Sequence, residues 1–293
     1  MTSQQAQAYI IAGAALWGGI GVFLNFLSSL GFTPMQIVAN RVLCAAAAFV
    51  LWLLISGRAA ALRIAPRDCI YFIGTGICSL IFFNWCYFNA IAASSMAVAA
   101  VLLYTSPVWL MGLSALLFGE RLTRRKLLAV GLTLCGCALV AGILGDTAGR
   151  LSLRALLLGL GAGFGYALYS IFGKFALRKY SPETVSAHTF IFAAIGVLPF
   201  VLGRPAAGDY LAPPTIAAGC GIGVLCCLLP FLFYTKGLEY AETGRAGILA
   251  TVEPAVAALL GALLFRQWPS ASELAGMALI FAAIVLLSHD DPS

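Results

Sequence analysis

Glu253 is the side chain whose position in this sequence most needs a chemical explanation. It lies near the middle of an apolar stretch, 243–265, where a charged group costs about 2.5–3.5 kcal/mol if the stretch crosses a membrane. Such a group is expected to face the protein interior or a wet cavity. It could carry a proton or pair with the ammonium group of a substrate. It could instead be a protonated or ion-paired residue that shapes the helix beside Pro254.

Aromatic and amide side chains in other apolar stretches are further candidates for contact with a substrate. A tyrosine deep in lipid needs a partner for its hydroxyl group, which favours an inward orientation. Asn84 lies one turn from Tyr87, on the same helix face. Each of these side chains could instead serve packing or the membrane interface. The predicted substrate-binding residues are Trp17, Asn84, Tyr87, Tyr104, Tyr166 and Tyr234.

Pro107 and Pro254 each interrupt an apolar stretch that is long enough to cross a bilayer. Proline lacks a backbone N–H, so a kink is expected at each, and the carbonyl groups of Leu103 and Ala250 lose their usual donors. Freed carbonyls near the middle of a membrane can accept a hydrogen bond from a substrate amino group. The alternative is that each kink only curves the wall of a helix bundle.

Arg41, Lys174 and His188 lie about two turns or less from predicted helix ends. Long basic side chains in such positions can extend to the membrane surface, so we expect all three to anchor their helices. For Arg41, binding of a substrate carboxylate is the alternative.

The sequence does not predict catalysis. Enzymes in membranes need converging carboxylates, a metal-ligand cluster or a nucleophile with its base, whereas Glu253 has no such partner in the sequence. The nine cysteines have no metal-ligand spacing together with histidines. Alternating glycines at 159–165 are not a phosphate loop, because no strand precedes them and no Lys-Ser or Lys-Thr follows. We therefore expect no catalytic residue, no metal, no cofactor and no enzyme activity.

The composition predicts a protein that resides in lipid. Hydrophobic residues make up 62% of the 293 residues and charged residues only 10%, with a mean hydropathy of +0.99. The net charge of +6 does not indicate a nucleic-acid partner, because the basic residues lie in short polar joints between apolar stretches. A bilayer-spanning helix needs about 20 apolar residues. Ten such helices are predicted, at 9–30, 35–56, 69–91, 94–118, 127–145, 154–177, 184–203, 213–237, 243–265 and 271–288.

Basic residues are distributed unevenly among the joints. The joint 121–126 holds four of them, whereas 267–273, its equivalent in the second half of the chain, holds none. Because Lys and Arg are retained on the cytoplasmic side, both termini are expected to be cytoplasmic. The expected location is a bacterial inner membrane.

The two halves of the chain repeat each other. Pro254 lies 147 positions after Pro107, and the same offset relates Tyr234 to Tyr87. We predict two units of five helices, residues 1–147 and 148–293. Five is an odd number, so the second unit is expected to be inserted upside down relative to the first. Such inverted repeats typically open a shared site to one side of the membrane and then to the other, which is alternating access.

The motifs that follow the two prolines resemble those of a known family. The run from Pro107 through Leu117-Phe118-Gly119-Glu120, together with Glu253-Pro254, resembles the EamA repeat of the drug/metabolite transporter superfamily. Within that superfamily the chain resembles exporters of aromatic and other amino acids of the YddG type. The resemblance covers nearly the whole chain and implies a basket of ten helices around a central cavity. The second half departs from the Gly-Glu motif with Arg266-Gln267, which weakens a gating role there.

These observations predict a secondary active transporter that exports small metabolites, with amino acids as the favoured class. Exporters of nucleosides, sugars or cationic drugs are the alternatives, and a channel or a membrane-embedded enzyme is less consistent with the repeat. The expected partners are a small-molecule substrate, the lipid bilayer and possible coupling protons, with no nucleic acid. The expected oligomeric state is a monomer or a loose homodimer.

Overall fold

The protein is built from helices that are joined by short turns. The structure, a computed structural model, describes residues 1–141, 152–202, 210–266 and 268–288, and none of these lies in a β-strand. The α-helices are α1 (Ser3–Trp17), α2 (Ile20–Ser29), α3 (Pro34–Ile55), α4 (Cys69–Phe72), α5 (Phe82–Ala93), α6 (Met96–Leu103), α7 (Ser106–Phe118), α8 (Arg124–Val140), α9 (Leu153–Ala176), α10 (Pro182–Val201), α11 (Pro213–Gly223), α12 (Leu229–Tyr240), α13 (Thr243–Leu249), α14 (Val252–Phe265) and α15 (Ala271–Ser288).

Eight helical segments of the described chain are long and apolar enough to cross a membrane, which confirms the predicted class of fold. They are Ser3–Ser29, Pro34–Ile55, Pro66–Ala93, Met96–Phe118, Leu153–Ala176, Pro182–Val201, Pro213–Tyr240 and Thr243–Leu264. A further apolar helix, Ala271–Leu287, is shorter, and α8 has 17 residues. The predicted ends of two spans, at 145 and 203, lie outside the described residues.

The first helix begins earlier than predicted, at Ser3 rather than at residue 9. A capping box explains the difference. The Thr2 hydroxyl group accepts from the Gln5 backbone N–H, and the Gln5 side chain accepts from the Thr2 N–H. These bonds satisfy donors that a helix start leaves free. Hydropathy alone does not detect this polar first turn.

The prolines lie next to breaks rather than inside continuous helices, which corrects the prediction of one kinked helix at each. α6 ends at Leu103 and α7 begins at Ser106, so Pro107 lies in the first turn of α7. Pro254 likewise lies in the first turn of α14, just after α13 ends. Proline is tolerated in a first helical turn, because an N–H there has no intrahelical acceptor.

Other backbone irregularities recur with the offset of the sequence repeat. Two π-helical segments, Ile73–Ile81 and Val224–Leu228, end 147 positions apart. Gly119 ends α7 in the left-handed conformation, with φ of 69°, and Arg266 ends α14 in the same way, with φ of 56°. A non-glycine residue pays about 1–2 kcal/mol for this conformation. The second half has thus kept the helix end although it lost the glycine.

Helices of the first half pack mainly on helices of the second half. α1 packs on α12, α3 on α10, α5 on α9 and α8 on α15. The largest buried cluster lies at the contact of α3 and α10, where the rings of Phe49 and Phe190 stack 5.5 Å apart. Near the prolines, α13 is the counterpart of α6 and α14 is the counterpart of α7. α7 packs against α13, whereas the equivalent pair, α14 and α6, has no comparable contact among the described residues.

Glycines allow the closest of these approaches. A Cβ atom on Gly136 of α8 would lie 2.8 Å from the carbonyl oxygen of Gly276 in α15. A Cβ atom on Gly276 would in turn lie 2.6 Å from the carbonyl oxygen of Gly136. Small residues at such positions let membrane helices pack backbone to backbone. A glycine of α9 makes a similar approach, since a Cβ atom on Gly163 would lie 2.9 Å from the Leu102 carbonyl oxygen.

We expect Gly136→Ala to destabilise the protein, because its methyl group must push α15 away. Overpacking of this kind costs typically about 1–3 kcal/mol, which lowers the melting temperature by roughly 2–10 °C. Gly131→Ala is the matched control on the same helix, since nothing lies within 4 Å of its Cβ position. Thermal unfolding of purified protein in detergent measures both variants. Equal melting temperatures for the two would contradict the close contact of α8 and α15.

Candidate functional site

All seven residues predicted to bind substrate or to couple transport line a single cavity with a volume of about 210 Å³. The first half of the chain contributes Trp17, Asn84, Tyr87 and Tyr104, and the second half contributes Tyr166, Tyr234 and Glu253. The volume is below the roughly 300–1,000 Å³ of pockets for drug-sized ligands. The cavity is therefore of a size for a small metabolite.

Glu253 reaches the cavity because it lies in the first turn of α14. A carboxylate is favoured there by the positive end of the helix dipole. The hydroxyl group of Tyr166 donates a hydrogen bond to Glu253 Oε2 at 3.2 Å. The prediction that the Ala250 carbonyl lacks a donor is wrong. This carbonyl accepts from the Glu253 backbone N–H at 3.2 Å, in a tight turn just before Pro254. For the Leu103 carbonyl, the loss of its usual donor stays a prediction.

Aromatic rings form one wall of the cavity. The ring of Trp17 lies 5.2 Å from that of Tyr234, 6.3 Å from that of Tyr166 and 5.1 Å from that of Phe231, between centroids. The hydroxyl group of Tyr234 is 2.7 Å from that of Ser170, which meets the requirement for a polar partner in a buried position. The wall can thus present ring faces to an apolar group while its hydroxyl groups stay satisfied.

Neither proline lines the cavity. Pro107 and Pro254 are buried within the bundle, and each immediately follows a break in its helical segment. The residues next to these breaks do line the cavity: Leu103 and Tyr104 in the first half, and Glu253 in the second. The prolines therefore position the binding candidates and do not contact the cavity themselves.

Arg41 does not anchor α3 at the membrane surface, which corrects that prediction. Its side chain is buried, lines the cavity and donates from Nη2 to Asn84 Oδ1 at 3.0 Å. Sequence distance from a helix end does not reveal such a contact, because Asn84 belongs to α5 and only the fold brings the two together.

The side chains of Lys174 and His188 bond to other parts of the protein, and their anchoring at the membrane surface stays a prediction. Lys174 Nζ donates to the carbonyl oxygens of Leu238 and Ala241, both at 2.7 Å, and so satisfies free acceptors at the end of α12. The Nδ1 atom of His188 is 3.0 Å from the Thr184 carbonyl oxygen, and the residue is buried. Both side chains serve the packing of helices.

Sequence reasoning missed several cavity residues, among them Tyr169, Ser170 and Phe231. Tyr169 follows Tyr166 by three positions, so the helix period could have indicated it. Its hydroxyl group hydrogen-bonds to the Thr235 hydroxyl group. Ser170 and Phe231 carry no comparable signal, since a serine and a phenylalanine are ordinary residues in membrane helices.

Beyond the cavity, charged side chains join the two halves at one end of the bundle. The carboxylate oxygens of Glu120 accept from the backbone N–H groups of Thr243 and Gly244, at 2.6 and 2.9 Å. Lys126 forms an ion pair with Glu242 at 2.9 Å. Thr243 begins α13, and Glu253 lies in the first turn of α14, the next helix along the chain. We call Glu120, Lys126, Glu242, Thr243 and Gly244 the clamp.

The groups that line the cavity can hold a small molecule. One carboxylate, one guanidinium group, several hydroxyl groups and aromatic rings line the cavity. Within residues 1–141, 152–202, 210–266 and 268–288, no group of three or more His, Cys, Asp or Glu side chains could hold a metal ion. These groups can recognise charge and shape.

The sequence is similar to the sequences of several transporters. An uncharacterized transporter of Archaeoglobus fulgidus is 30% identical over 200 residues, which cover 68% of this chain and 70% of that protein. The uncharacterized transporter YwfM of Bacillus subtilis is 24% identical over 281 residues, covering 96% and 92%. The threonine/homoserine exporter RhtA of Salmonella typhimurium is 28% identical over 201 residues, covering 68% and 65%.

The fold is also found among solved structures. A crystal structure of another protein aligns with this chain at a TM-score of 0.81 and 21% identity. The alignment covers 97% of this chain and 96% of the chain in that crystal structure, which shows a shared fold. The profile of the EamA-like transporter family matches residues 5–142 and again residues 153–289. The resemblance seen in the proline motifs is therefore confirmed over both halves, and the chain belongs to the EamA-like transporter family.

Proposed function

We propose that this transporter is a secondary active exporter of small metabolites, with amino acids as the favoured class. The observation that carries the proposal is the cavity itself. Residues from both halves converge on it, and it combines the carboxylate of Glu253 with the aromatic wall around Trp17. Its volume suits a molecule the size of an amino acid. RhtA, a relative, is named as an exporter of threonine and homoserine.

We propose further that the chain has ten spans in two inverted units, 1–147 and 148–293. The packing supports the two-unit arrangement, because a contact in one half has an equivalent in the other. α9 is the counterpart of α1, and α5 is the counterpart of α12, so the contact of α1 with α12 is repeated as the contact of α9 with α5. The π-helical segments and left-handed helix ends recur with the same offset of 147. Inverted halves of this kind permit alternating access.

One contact lacks its equivalent in the other half, which supports a conformation that is closed at one end of the bundle. α7 packs against α13 next to the clamp, whereas the equivalent pair, α6 and α14, leaves the cavity between its helices. The distribution of Lys and Arg assigns the clamp to the cytoplasmic side. The proposed state therefore faces outward, in a bacterial inner membrane with both termini cytoplasmic. The lipid bilayer and protons complete the proposed partners, and the chain acts as a monomer or a loose homodimer without nucleic acid.

Counterflow in proteoliposomes tests the proposed function. Vesicles loaded with unlabelled substrate are diluted into a trace of labelled amino acids, nucleosides or sugars, one class at a time. We expect transient, saturable accumulation of amino acids, because a carrier with alternating access exchanges one bound molecule for another. Accumulation of nucleosides or sugars alone would contradict the substrate class. Flux that does not saturate would indicate a channel and contradict the mechanism.

Glu253→Gln tests the coupling role of this carboxylate. The amide cannot carry a proton or pair as an anion with an ammonium group, so we expect uptake driven by a pH gradient to fall at least about tenfold. Glu183→Gln is the control, because Glu183 does not line the cavity and pairs with the exposed Arg58, and surface pairs of this kind contribute little. Melting temperatures establish that both variants fold. Unchanged gradient-driven transport by Glu253→Gln would remove this residue from the mechanism.

A further inference from the structure

Arg41 is a buried cation in the wall of the cavity. Its residue is 8% exposed, and it lines the cavity beside Asn84. A guanidinium group has five N–H donors. Nη2 uses one of them on Asn84 Oδ1, whereas Nε is fully buried and has no partner. Because Nε is enclosed by protein, the donors that can meet a ligand in the cavity are those of the Nη groups.

Asn84 holds this cation in one orientation. Its Nδ2 atom donates to the Leu80 carbonyl oxygen at 2.7 Å, one turn earlier in the helical segment. The amide oxygen is consequently left to accept from Arg41. Asn84 is itself 3% exposed, so neither side chain has room to swing into solvent. The pair is prepared before any ligand arrives, which reduces the cost of ordering it on binding.

The charge of Arg41 acts on Glu253 across the cavity, without a direct ion pair. Among the residues that the structure describes, no carboxylate oxygen lies within the ion-pair distance of 4.0 Å from its guanidinium group. Burying a cation between membrane helices is costly unless an anion or water compensates it. The planar fork of arginine matches the two oxygens of a carboxylate particularly well. Glu253, the one acidic side chain among the described residues that line the cavity, offers the complementary charge for an ammonium group.

We propose that Arg41 binds the carboxylate of the transported molecule while Glu253 faces its ammonium group. The cavity then selects zwitterionic α-amino acids, and the aromatic wall of Trp17 and Phe231 receives their side chains. Asn84 acts as a positioning residue for Arg41. The inference rests on the proposed export of amino acids and adds the chemical basis for choosing that class. It distinguishes them from amines, which lack the carboxylate, and from neutral sugars and nucleosides, which lack both charges.

Matched ligands test the proposal. L-Threonine and L-phenylalanine are compared with threoninamide and phenylalaninamide, which keep the side chain and amino group but lack the carboxylate. Binding is measured by ligand-induced thermal shift on the full chain in detergent, and transport by competition in counterflow. We expect the wild-type protein to bind at least one acid about 10- to 100-fold more tightly than its amide, as for loss of a charge-assisted hydrogen bond.

Arg41→Gln should remove this preference: affinity for the acid falls about 10- to 100-fold, whereas affinity for the amide changes less than about threefold. Arg41→Lys keeps the charge but not the fork and should lie between the two. Arg58→Gln is the control, since Arg58 is exposed and lies over the Trp52 ring at the protein surface. It should leave the ratio of acid to amide unchanged.

Asn84→Ser is a second variant that tests the role of Arg41 if Arg41→Gln does not purify as a monodisperse protein. It keeps the cation but loosens its orientation, so the preference for acid over amide should again shrink. Equal losses for acid and amide in these variants, or no loss, would overturn the role of Arg41 while amino-acid transport by the wild-type protein still stands. A wild-type protein that carries no amino acid would overturn the proposed function and this inference together.

Discussion

A charged or hydroxyl group that is enclosed by membrane-spanning helices must find its partner inside the protein, because the surrounding hydrocarbon offers none. This constraint explains most of the polar arrangement described above. Tyr166 donates to Glu253, Ser170 bonds to Tyr234, and Lys174 satisfies carbonyl groups at the end of α12. Arg41 is the exception in the cavity wall, because its guanidinium group bonds to Asn84 but forms no ion pair among the described residues. A ligand in the cavity can supply the anion that the protein does not.

The irregular backbone segments follow the same logic. Breaks and π-helical turns cost hydrogen bonds, so within a membrane they are tolerated where they are buried in protein or face a wet cavity. The breaks before Pro107 and Pro254 bring Tyr104 and Glu253 to the cavity. The π-helical segment Ile73–Ile81 includes the lining residue Ser79 and leads into α5, which carries Asn84. In each half of the chain, departures from regular helix thus position the polar groups.

The sequence was sufficient for features that depend on hydropathy or on local repetition. The apolar stretches predicted the long helices, and inward orientation of polar and aromatic side chains predicted seven residues that line the cavity. Features that depend on contacts between distant segments were not predicted. The burial of Arg41 depends on Asn84 of another helix, and Lys174 was assigned to the membrane surface because its acceptors lie more than 60 positions away. The π-helical turns were not predicted either, because they leave the apolar pattern of the sequence unchanged.

The central claim is that the cavity opens alternately at the two ends of the bundle. The most direct test is double electron–electron resonance with two label pairs on exposed positions: Leu122 with Tyr240 near the clamp, and Met96 with Leu263 near the free ends of α6 and α14. Labels are attached through introduced non-natural amino acids, so the nine cysteines stay in place. On adding substrate, the account predicts a population in which the first distance lengthens while the second shortens. Two distances that stay fixed, or that change in the same direction, during demonstrated transport would contradict it.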